Sequence, residues 1–183
     1  MRKLIMWNLI TLDGCFEGVK AWDLPWHEQV WGEELERFSL GQLESADMLL
    51  FGRLTYEGMA AYWQAAQGEI ADYMNSLPKA VCSRTLQAAS WNNTTLLKDD
   101  VAQEVARLKQ EGDGDIYLFG SASLSQTLMN EALFDEYRIG IAPVIHGNGR
   151  LLFGEGLKPQ VLALRETRPL SNGCVILCYQ RSG

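Results

Sequence analysis

The sequence predicts an α/β fold in which one mixed sheet is covered by helices on both faces. Three observations support this prediction. Eight short apolar runs of strand length recur along the chain, helical patterns separate those in its middle, and the last three follow one another without a helix. Alternating strands and helices favour parallel strands joined by right-handed crossovers, whereas the final three strands should pair antiparallel.

The candidate strands cover residues 3–10, 48–51, 80–82, 94–97, 116–119, 136–144, 160–167 and 174–180. Helical patterns cover residues 27–43 and 55–63, and two more begin near Asp100 and Ser123. Asp100 is the expected N-cap of its helix, and Gly112 stands where a C-cap residue belongs. Because no repeat or long linker interrupts the pattern, we expect one domain over residues 1–183.

The composition limits the classes of partner. The 183 residues are 47% hydrophobic and 21% charged, and the formal net charge is -7, which argues against a nucleic-acid partner. The apolar run at the N-terminus is interrupted by Asn8 and ends at Asp13 without a cleavage site. No apolar stretch approaches the roughly 18 residues of a membrane span. We therefore expect a cytoplasmic protein without a membrane partner.

The cysteines and histidines do not form a metal-ligand pattern. Cys174 and Cys178 lie four residues apart in a predicted strand, where they would be separated by about 13 Å. Neither a disulfide nor a shared metal ion bridges that distance. We expect no metal site.

Three predicted strands end in turns that are suited to phosphate. These turns are Gly52-Arg53-Leu54-Thr55, Ser83-Arg84-Thr85 and Gly120-Ser121-Ala122-Ser123. Glycine lets the backbone approach a ligand closely, the first N–H groups of a helix favour an anion, and arginine offers a planar fork of donors. In α/β sheets, ligands bind at the carboxyl ends of the strands.

A ligand with several separated phosphates fits these turns, and NADP(H) has three. Arg84, flanked by Ser83 and Thr85, is the candidate contact for the 2′-phosphate, where a site for NAD more often has an acidic residue. Each turn alone is also explained as a capped helix or a polar loop. The usual dinucleotide fingerprint, Gly-x-Gly-x-x-Gly after an early strand, is absent.

The loop that follows the first strand is the second candidate region. It runs from Thr11 to Gly18 and leads to Trp22 and Trp26. A long loop rich in glycine and tryptophan suits a lid over a planar ligand. Core packing explains the two tryptophans equally well, and turn formation equally explains Asp13.

The order of these motifs resembles the dihydrofolate-reductase-like superfamily. The motifs are Thr-Leu-Asp-Gly, Gly-Arg-x-Thr-Tyr-Glu, Ser-Arg-Thr, Phe-Gly-Ser-x-x-Leu, Asp-Glu-Tyr-Arg and Pro-Val-Ile-x-Gly-x-Gly-Arg. Within the superfamily, the chain is most similar to the C-terminal reductase domain of the bifunctional riboflavin-biosynthesis deaminase-reductase, in a stand-alone form. The resemblance implies a mixed, mainly parallel eight-stranded sheet with NADPH across the strand ends.

The resemblance also implies roles for individual residues. The cofactor contacts are Gly52, Arg53, Thr55, Ser83, Arg84, Thr85, Gly120, Ser121, Ala122 and Leu124. The substrate contacts are Asn8, Asp13 and Trp22. No catalytic residue is assigned, and Asp13 and Glu28 are the candidates. Folate reductases place an acidic residue in the first helix, and Glu33, Glu34 and Glu36 could fill that place as well as Glu28.

The implied function is an NADPH-dependent reductase that transfers hydride to a pyrimidine-ribosyl substrate, similar to 5-amino-6-(5-phosphoribosylamino)uracil, or to a pterin or folate. The cofactor itself supplies the hydride chemistry. The alternatives are a non-catalytic NADPH-binding or sensor module of the same fold and a small transferase acting on a phosphate ligand. Relatives of the riboflavin type also suggest a homodimer.

Overall fold

The structure is a computed structural model that describes residues 1–182, and within them it contains ten strands and six helices. The strands are β1 (Leu4–Thr11), β2 (Cys15–Glu17), β3 (Ala46–Gly52), β4 (Lys79–Cys82), β5 (Thr94–Leu97), β6 (Asp115–Leu118), β7 (Glu136–Ala142), β8 (Arg150–Leu151), β9 (Leu162–Pro169) and β10 (Val175–Arg181). The helices are α1 (His27–Val30), α2 (Glu33–Ser45), α3 (Arg53–Trp63), α4 (Glu69–Ser76), α5 (Val101–Gln110) and α6 (Ala122–Asn130).

Eight of the strands form one sheet in the order β5-β4-β3-β6-β1-β7-β10-β9. The six strands from β5 to β7 in this order are parallel to one another, and β10 pairs antiparallel with both β7 and β9. The predicted mixed, mainly parallel sheet with antiparallel C-terminal strands is therefore confirmed. The helix-free sequence before β10 gives antiparallel pairing because short connections cannot return a strand in parallel.

Both faces of the sheet are covered, as predicted. Along β1, Leu4 and Met6 pack into the core beneath α5 and α6, whereas Ile5 and Trp7 pack into the opposite core beneath α2, α3 and α4. Successive side chains of a strand point to opposite faces. A strand that is buried on both faces therefore appears in the sequence as a continuous apolar run.

The predicted helix over residues 27–43 is wrong as a single element. It is divided at Trp31 and Gly32, where the backbone of Trp31 is extended (φ -71°, ψ 137°). Leu35 is buried, but Trp31 is 50% exposed. The apolar spacing from Trp31 to Phe38 therefore does not belong to one helical stripe.

Three further elements were not predicted. Helix α4 buries Ile70, Ala71 and Met74 but is only eight residues long. Strands β2 and β8 pair antiparallel as a separate two-stranded sheet, with Cys15 opposite Leu151. Strands this short show no readable period. Their pairing joins the loop after β1 to the segment before β9.

Helix α5 has the predicted N-cap, whereas its C-cap is Glu111 and the predicted Gly112 follows it. The Asp100 carboxylate accepts hydrogen bonds from the backbone N–H groups of Ala102 (3.0 Å) and Gln103 (3.2 Å), as an N-cap residue does. Gly112, just past the helix, has φ +103°.

Among residues 1–182, no helix combines the length and the apolar character that crossing a bilayer requires.

Candidate functional site

The three turns lie along one edge of the sheet. Strands β4, β3 and β6 are parallel neighbours, so their carboxyl ends meet at that edge. The backbone N–H of Gly52 donates to the carbonyl oxygen of Gly120 at 2.9 Å. The turn after β3 and the turn after β6 are therefore in direct contact.

Gly52 is required by this contact. A Cβ at position 52 would lie 2.5 Å from Ser121 Oγ and 3.0 Å from Ser121 N. Gly52 is also the N-cap of α3, with no side chain capping the helix. The first N–H groups of α3 thus lack a side-chain acceptor, which leaves them available to an anion.

Arg53 is the first residue of α3 and already has a partner. Its guanidinium group donates to the Glu57 carboxylate at 3.0 Å, one turn along the helix, and the two side chains are 40% and 44% exposed. An exposed ion pair of this kind contributes little to stability. A phosphate at the helix N-terminus can therefore compete for Arg53 at low cost.

The turn after β6 leads into α6. The Ser121 side chain accepts from the backbone N–H of Leu124 at 3.4 Å. The side chains of Ala122 and Leu124 are buried in the core. Gly120 has φ +122°, and a Cβ there would lie 3.1 Å from Thr55 Oγ1. Of these predicted contacts, Ala122 and Leu124 can offer a ligand only their backbone.

The turn after β4 is more open. Ser83 Oγ accepts from the backbone N–H groups of Thr85 (3.2 Å) and Leu86 (3.0 Å), which fixes the turn locally. Arg84 and Thr85 are exposed. Within residues 1–182, the Arg84 side chain makes no ion pair with a carboxylate, so its guanidinium group is available to a ligand.

Asp13 connects two loops. Its carboxylate accepts from the Thr11 hydroxyl (2.6 Å) and from the backbone N–H groups of His146 (3.0 Å) and Gly147 (2.7 Å). These hydrogen bonds, that of Thr11 foremost, hold the pKa of Asp13 well below its usual range. The arrangement keeps Asp13 ionised and fixes the loop after β1 against the loop after β7.

The loop after β1 packs on the turns after β3 and β6, two of the three candidate phosphate turns (residues 52–55, 83–85 and 120–123). The ring of Phe16 packs closely against Gly120, and a Cβ at position 120 would lie 2.8 Å from Phe16 Cζ. Further along, the Trp22 indole N–H donates to the Leu54 carbonyl at 3.1 Å. The same indole covers Gly58 in α3, where a Cβ would overlap the ring. Trp26, by contrast, is buried in the core.

Sequence reasoning missed the residue that holds this loop. Glu17 is 7% exposed, and its carboxylate accepts from the backbone N–H of Trp22 and pairs with Arg150, both at 3.1 Å. A buried carboxylate needs such partners. No local motif marks Glu17, because Arg150 comes from β8, far along the chain. Phe16 and Gly58 were missed for the same reason.

The remaining predicted residues lie apart from the turns. Asn8 is 4% exposed in β1, and neither atom of its side-chain amide has a hydrogen-bond partner. It lies on the sheet face that α6 covers, beside Ile139 in register. Glu28 is exposed in α1, and no hydrogen bond within residues 1–182 ties it to the turns. Their roles stay predictions.

The turns suit a phosphate ligand and not a metal ion. Their polar groups are backbone N–H donors, hydroxyls and two guanidinium groups. Within the described residues, no group of three histidine, cysteine, aspartate or glutamate side chains could hold a metal ion.

Comparison with known proteins relates this geometry to a family and to a fold. Protein YyaP of Bacillus subtilis, which is uncharacterized, is 31% identical over 100% of this chain and 96% of its own length. The crystal structure of a putative riboflavin biosynthesis protein from Shewanella sp. PV-4 has a TM-score of 0.83 at 21% identity, with 100% of both chains covered. Dihydrofolate reductase from Enterococcus faecalis, solved with NADP(H), has a TM-score of 0.70 at 16% identity, covering 99% of this chain and 97% of its own.

These structural likenesses show the dihydrofolate-reductase-like fold that the motif order indicated. The model of the RibD C-terminal domain family matches residues 2–176, which is nearly the whole chain. The chain therefore belongs to the RibD C-terminal domain family.

Proposed function

We propose that this chain is an NADPH-dependent reductase that transfers hydride to a pyrimidine-ribosyl or pterin-like substrate. One observation carries the proposal. Two helix N-termini meet at the Gly52–Gly120 hydrogen bond, beside a third turn whose Arg84 makes no ion pair with any of residues 1–182. The RibD C-terminal domain family and the fold support a reductase-type function.

The electrostatics of this edge support a dinucleotide with a 2′-phosphate. The chain as a whole carries a net charge of -7, which repels a phosphorylated ligand in general. The edge nevertheless presents Arg53 and Arg84 together with the positive ends of two helix dipoles. We assign the pyrophosphate to the turns of α3 and α6, and the 2′-phosphate to Ser83, Arg84 and Thr85.

The loop after β1 would serve the reacting end of the ligand. Bound NADPH would supply the hydride. Phe16 and Trp22 would exclude water from the ligand. The Glu17 carboxylate would hold Trp22 in place by accepting from the Trp22 backbone N–H. Asp13 acts in this scheme as a positioning residue, because its carboxylate is ionised and occupied by three donors. The hydrogen bond from the Thr11 hydroxyl, together with those from the two backbone N–H groups, holds the pKa of Asp13 well below its usual range, so the carboxylate is ionised at neutral pH.

Cofactor titration tests the proposal. NADPH and NADH are titrated against the protein by nicotinamide fluorescence, and Arg84→Ala is compared with Arg107→Ala, an exposed arginine on α5. A charge-assisted contact contributes about 1.5–3 kcal/mol, or about ten- to a hundredfold in affinity. Arg84→Ala should weaken NADPH by that factor and leave NADH nearly unchanged.

The control variant Arg107→Ala should bind both cofactors as the wild type does. Equal losses of NADPH and NADH affinity in Arg84→Ala would show that Arg84 does not contact the 2′-phosphate. If the wild-type protein binds neither cofactor, the proposed function is refuted. NADPH oxidation with dihydrofolate and with the pyrimidine-ribosyl precursor then separates the two substrate classes.

A second candidate function is a non-catalytic NADPH-binding or sensor module. The hydrogen bonds of Asp13 favour it, since they remove one of the two candidate acids from proton transfer. This alternative predicts NADPH binding of ordinary affinity with no oxidation by either substrate.

A further inference from the structure

A groove on the α2 face of the sheet lies away from the strand-end site. It has a volume of about 380 Å³ and runs between α2 and the strands β7, β10 and β9. Arg138 lines it four residues before the end of β7, and thus about 13 Å from the edge where the phosphate turns lie. The groove is large enough for a small organic molecule.

The groove has an excess of positive charge. Four guanidinium groups line it, against two carboxylates, those of Glu136 and Glu166. The lining arginines are Arg37, Arg138, Arg165 and Arg168. Arg37 is also paired with Glu33, and Lys3 with Glu136. With these partners included, five cations and three anions leave an excess of two positive charges, in a chain whose net charge is -7.

The two carboxylates do not occupy all of these donors. Glu136 is shared between Arg138 at 2.9 Å and Lys3 at 2.7 Å. Arg165 donates its Nε to the neutral Gln180 Oε1 at 2.7 Å. Within residues 1–182, the terminal nitrogens of Arg165 make no ion pair, so they face the groove without a counter-charge.

Two of the arginines are held in place by aromatic rings. Arg138 donates to the Tyr117 hydroxyl at 2.9 Å and lies 5.4 Å from the centre of that ring. Arg168 lies 5.1 Å from the centre of the Phe38 ring. Such stacking restricts a long side chain before any ligand arrives and reduces the entropy lost on binding.

A buried donor in the groove wall lacks an acceptor. Gln42 is 3% exposed and lines the groove. Its Oε1 accepts from Arg138 at 3.3 Å, but its Nε2 has no hydrogen-bond partner among residues 1–182. A buried N–H group without a partner is unfavourable, and native structures rarely leave one. An acceptor oxygen placed in the groove would remove this deficit.

We propose that this groove is a second ligand site, separate from the cofactor edge, that binds a small molecule through a phosphoryl group. Arg168 donates its Nε and Nη2 to Glu166, which leaves its Nη1 for a ligand. Phosphoryl oxygens match the terminal nitrogens of Arg165 and this nitrogen of Arg168, and they can accept from the Gln42 amide. A phosphoryl group is a dianion near neutral pH and balances the two excess positive charges. The Phe38 ring and the backbone at Gly41 leave room for an organic part.

Phosphate titration with matched variants tests the proposal. Inorganic phosphate is titrated by calorimetry at constant ionic strength against the wild type and against Arg165→Gln/Arg168→Gln. Both side chains are exposed, so the variant should fold, which a urea unfolding curve checks. Arg107→Gln on α5 is the control for lost surface charge, and Arg53→Gln/Arg84→Gln removes the guanidinium groups at the cofactor edge.

The expected result is phosphate binding that weakens at least about tenfold in Arg165→Gln/Arg168→Gln. Binding at the groove should persist in the other two variants. The proposal is overturned if the wild type binds no phosphate or if binding disappears with Arg53 and Arg84. It is also overturned if sedimentation shows that the groove substitutions dissociate a dimer while phosphate affinity stays unchanged, because a second copy of the chain would then cover the groove.

Discussion

Replacing Gly52 with alanine tests the contact between the two phosphate turns. The added Cβ would lie 2.5 Å from Ser121 Oγ and 3.0 Å from the Ser121 backbone nitrogen. The serine hydroxyl can rotate away, but it then loses the hydrogen bond from the backbone N–H of Leu124. The backbone nitrogen cannot rotate away, so the two turns must separate.

The magnitude follows from these two effects. Overpacking of a close contact costs about 1–3 kcal/mol, and loss of a serine N-cap costs about 0.5–2 kcal/mol. We expect Gly52→Ala to lower the free energy of unfolding by about 1.5–5 kcal/mol. It should also weaken NADPH binding, since the N-termini of α3 and α6 no longer converge.

Urea unfolding and NADPH titration measure both effects. Gly41→Ala is the matched control, because Gly41 lies inside α2 and a Cβ there meets nothing within 4 Å. The same substitution should therefore stabilise the protein by about 0.5–1 kcal/mol at position 41. If Gly52→Ala behaves like Gly41→Ala, with stability and NADPH affinity preserved, the reasoning about the joined turns is refuted.

Two other predictions concern the loop after β1 and pH. Gly58→Ala should displace the Trp22 indole and weaken NADPH binding as much as Trp22→Ala does. In the double variant, the two losses of NADPH affinity should not add. Additive losses would show that the two residues act separately. Burial lowers the pKa of His27 from 6.5 to about 4, so the unfolded chain binds this proton first and stability is lost as the pH falls from 6.5 to 4. His27→Phe should abolish up to about 3 kcal/mol of this loss in urea unfolding curves recorded across that range, and an unchanged pH profile would contradict the assignment.

The sequence predicted the sheet and the three turns because their signals are local. An apolar run followed by glycine, serine or arginine marks a strand end such as Gly52 or Gly120. The contact between these two glycines depends on β3 lying next to β6, and no sequence neighbour reveals that order. The apolar pattern likewise did not distinguish the exposed Trp31 from the buried Trp26, since periodicity does not register where a helix is interrupted.

Other parts of the candidate site could not be predicted because they depend on long-range partners. The burial of Glu17 is compensated by Arg150 and by the Trp22 backbone, which lie in separate segments. The arginines of the groove come from α2, β7 and β9. In the sequence they are separate charged residues with no common motif. Short elements such as α4 gave too few residues to establish a period.

The hydrogen bond between Gly52 and Gly120 has a consequence for substitutions aimed at the proposed NADPH site. It joins two of the three turns directly, so a substitution in one of them disturbs the other. The segment Ser83-Arg84-Thr85 is held by the Ser83 hydroxyl within its own turn and by the Ser83 backbone N–H, which donates to the Leu97 carbonyl at 3.0 Å. Among the described residues, no hydrogen bond joins it to the other two turns, so it can be substituted independently of them. Substitutions meant to shift the proposed preference from NADPH toward NADH therefore belong in Ser83-Arg84-Thr85, since a change at Gly52 or Gly120 would disturb both of the joined turns.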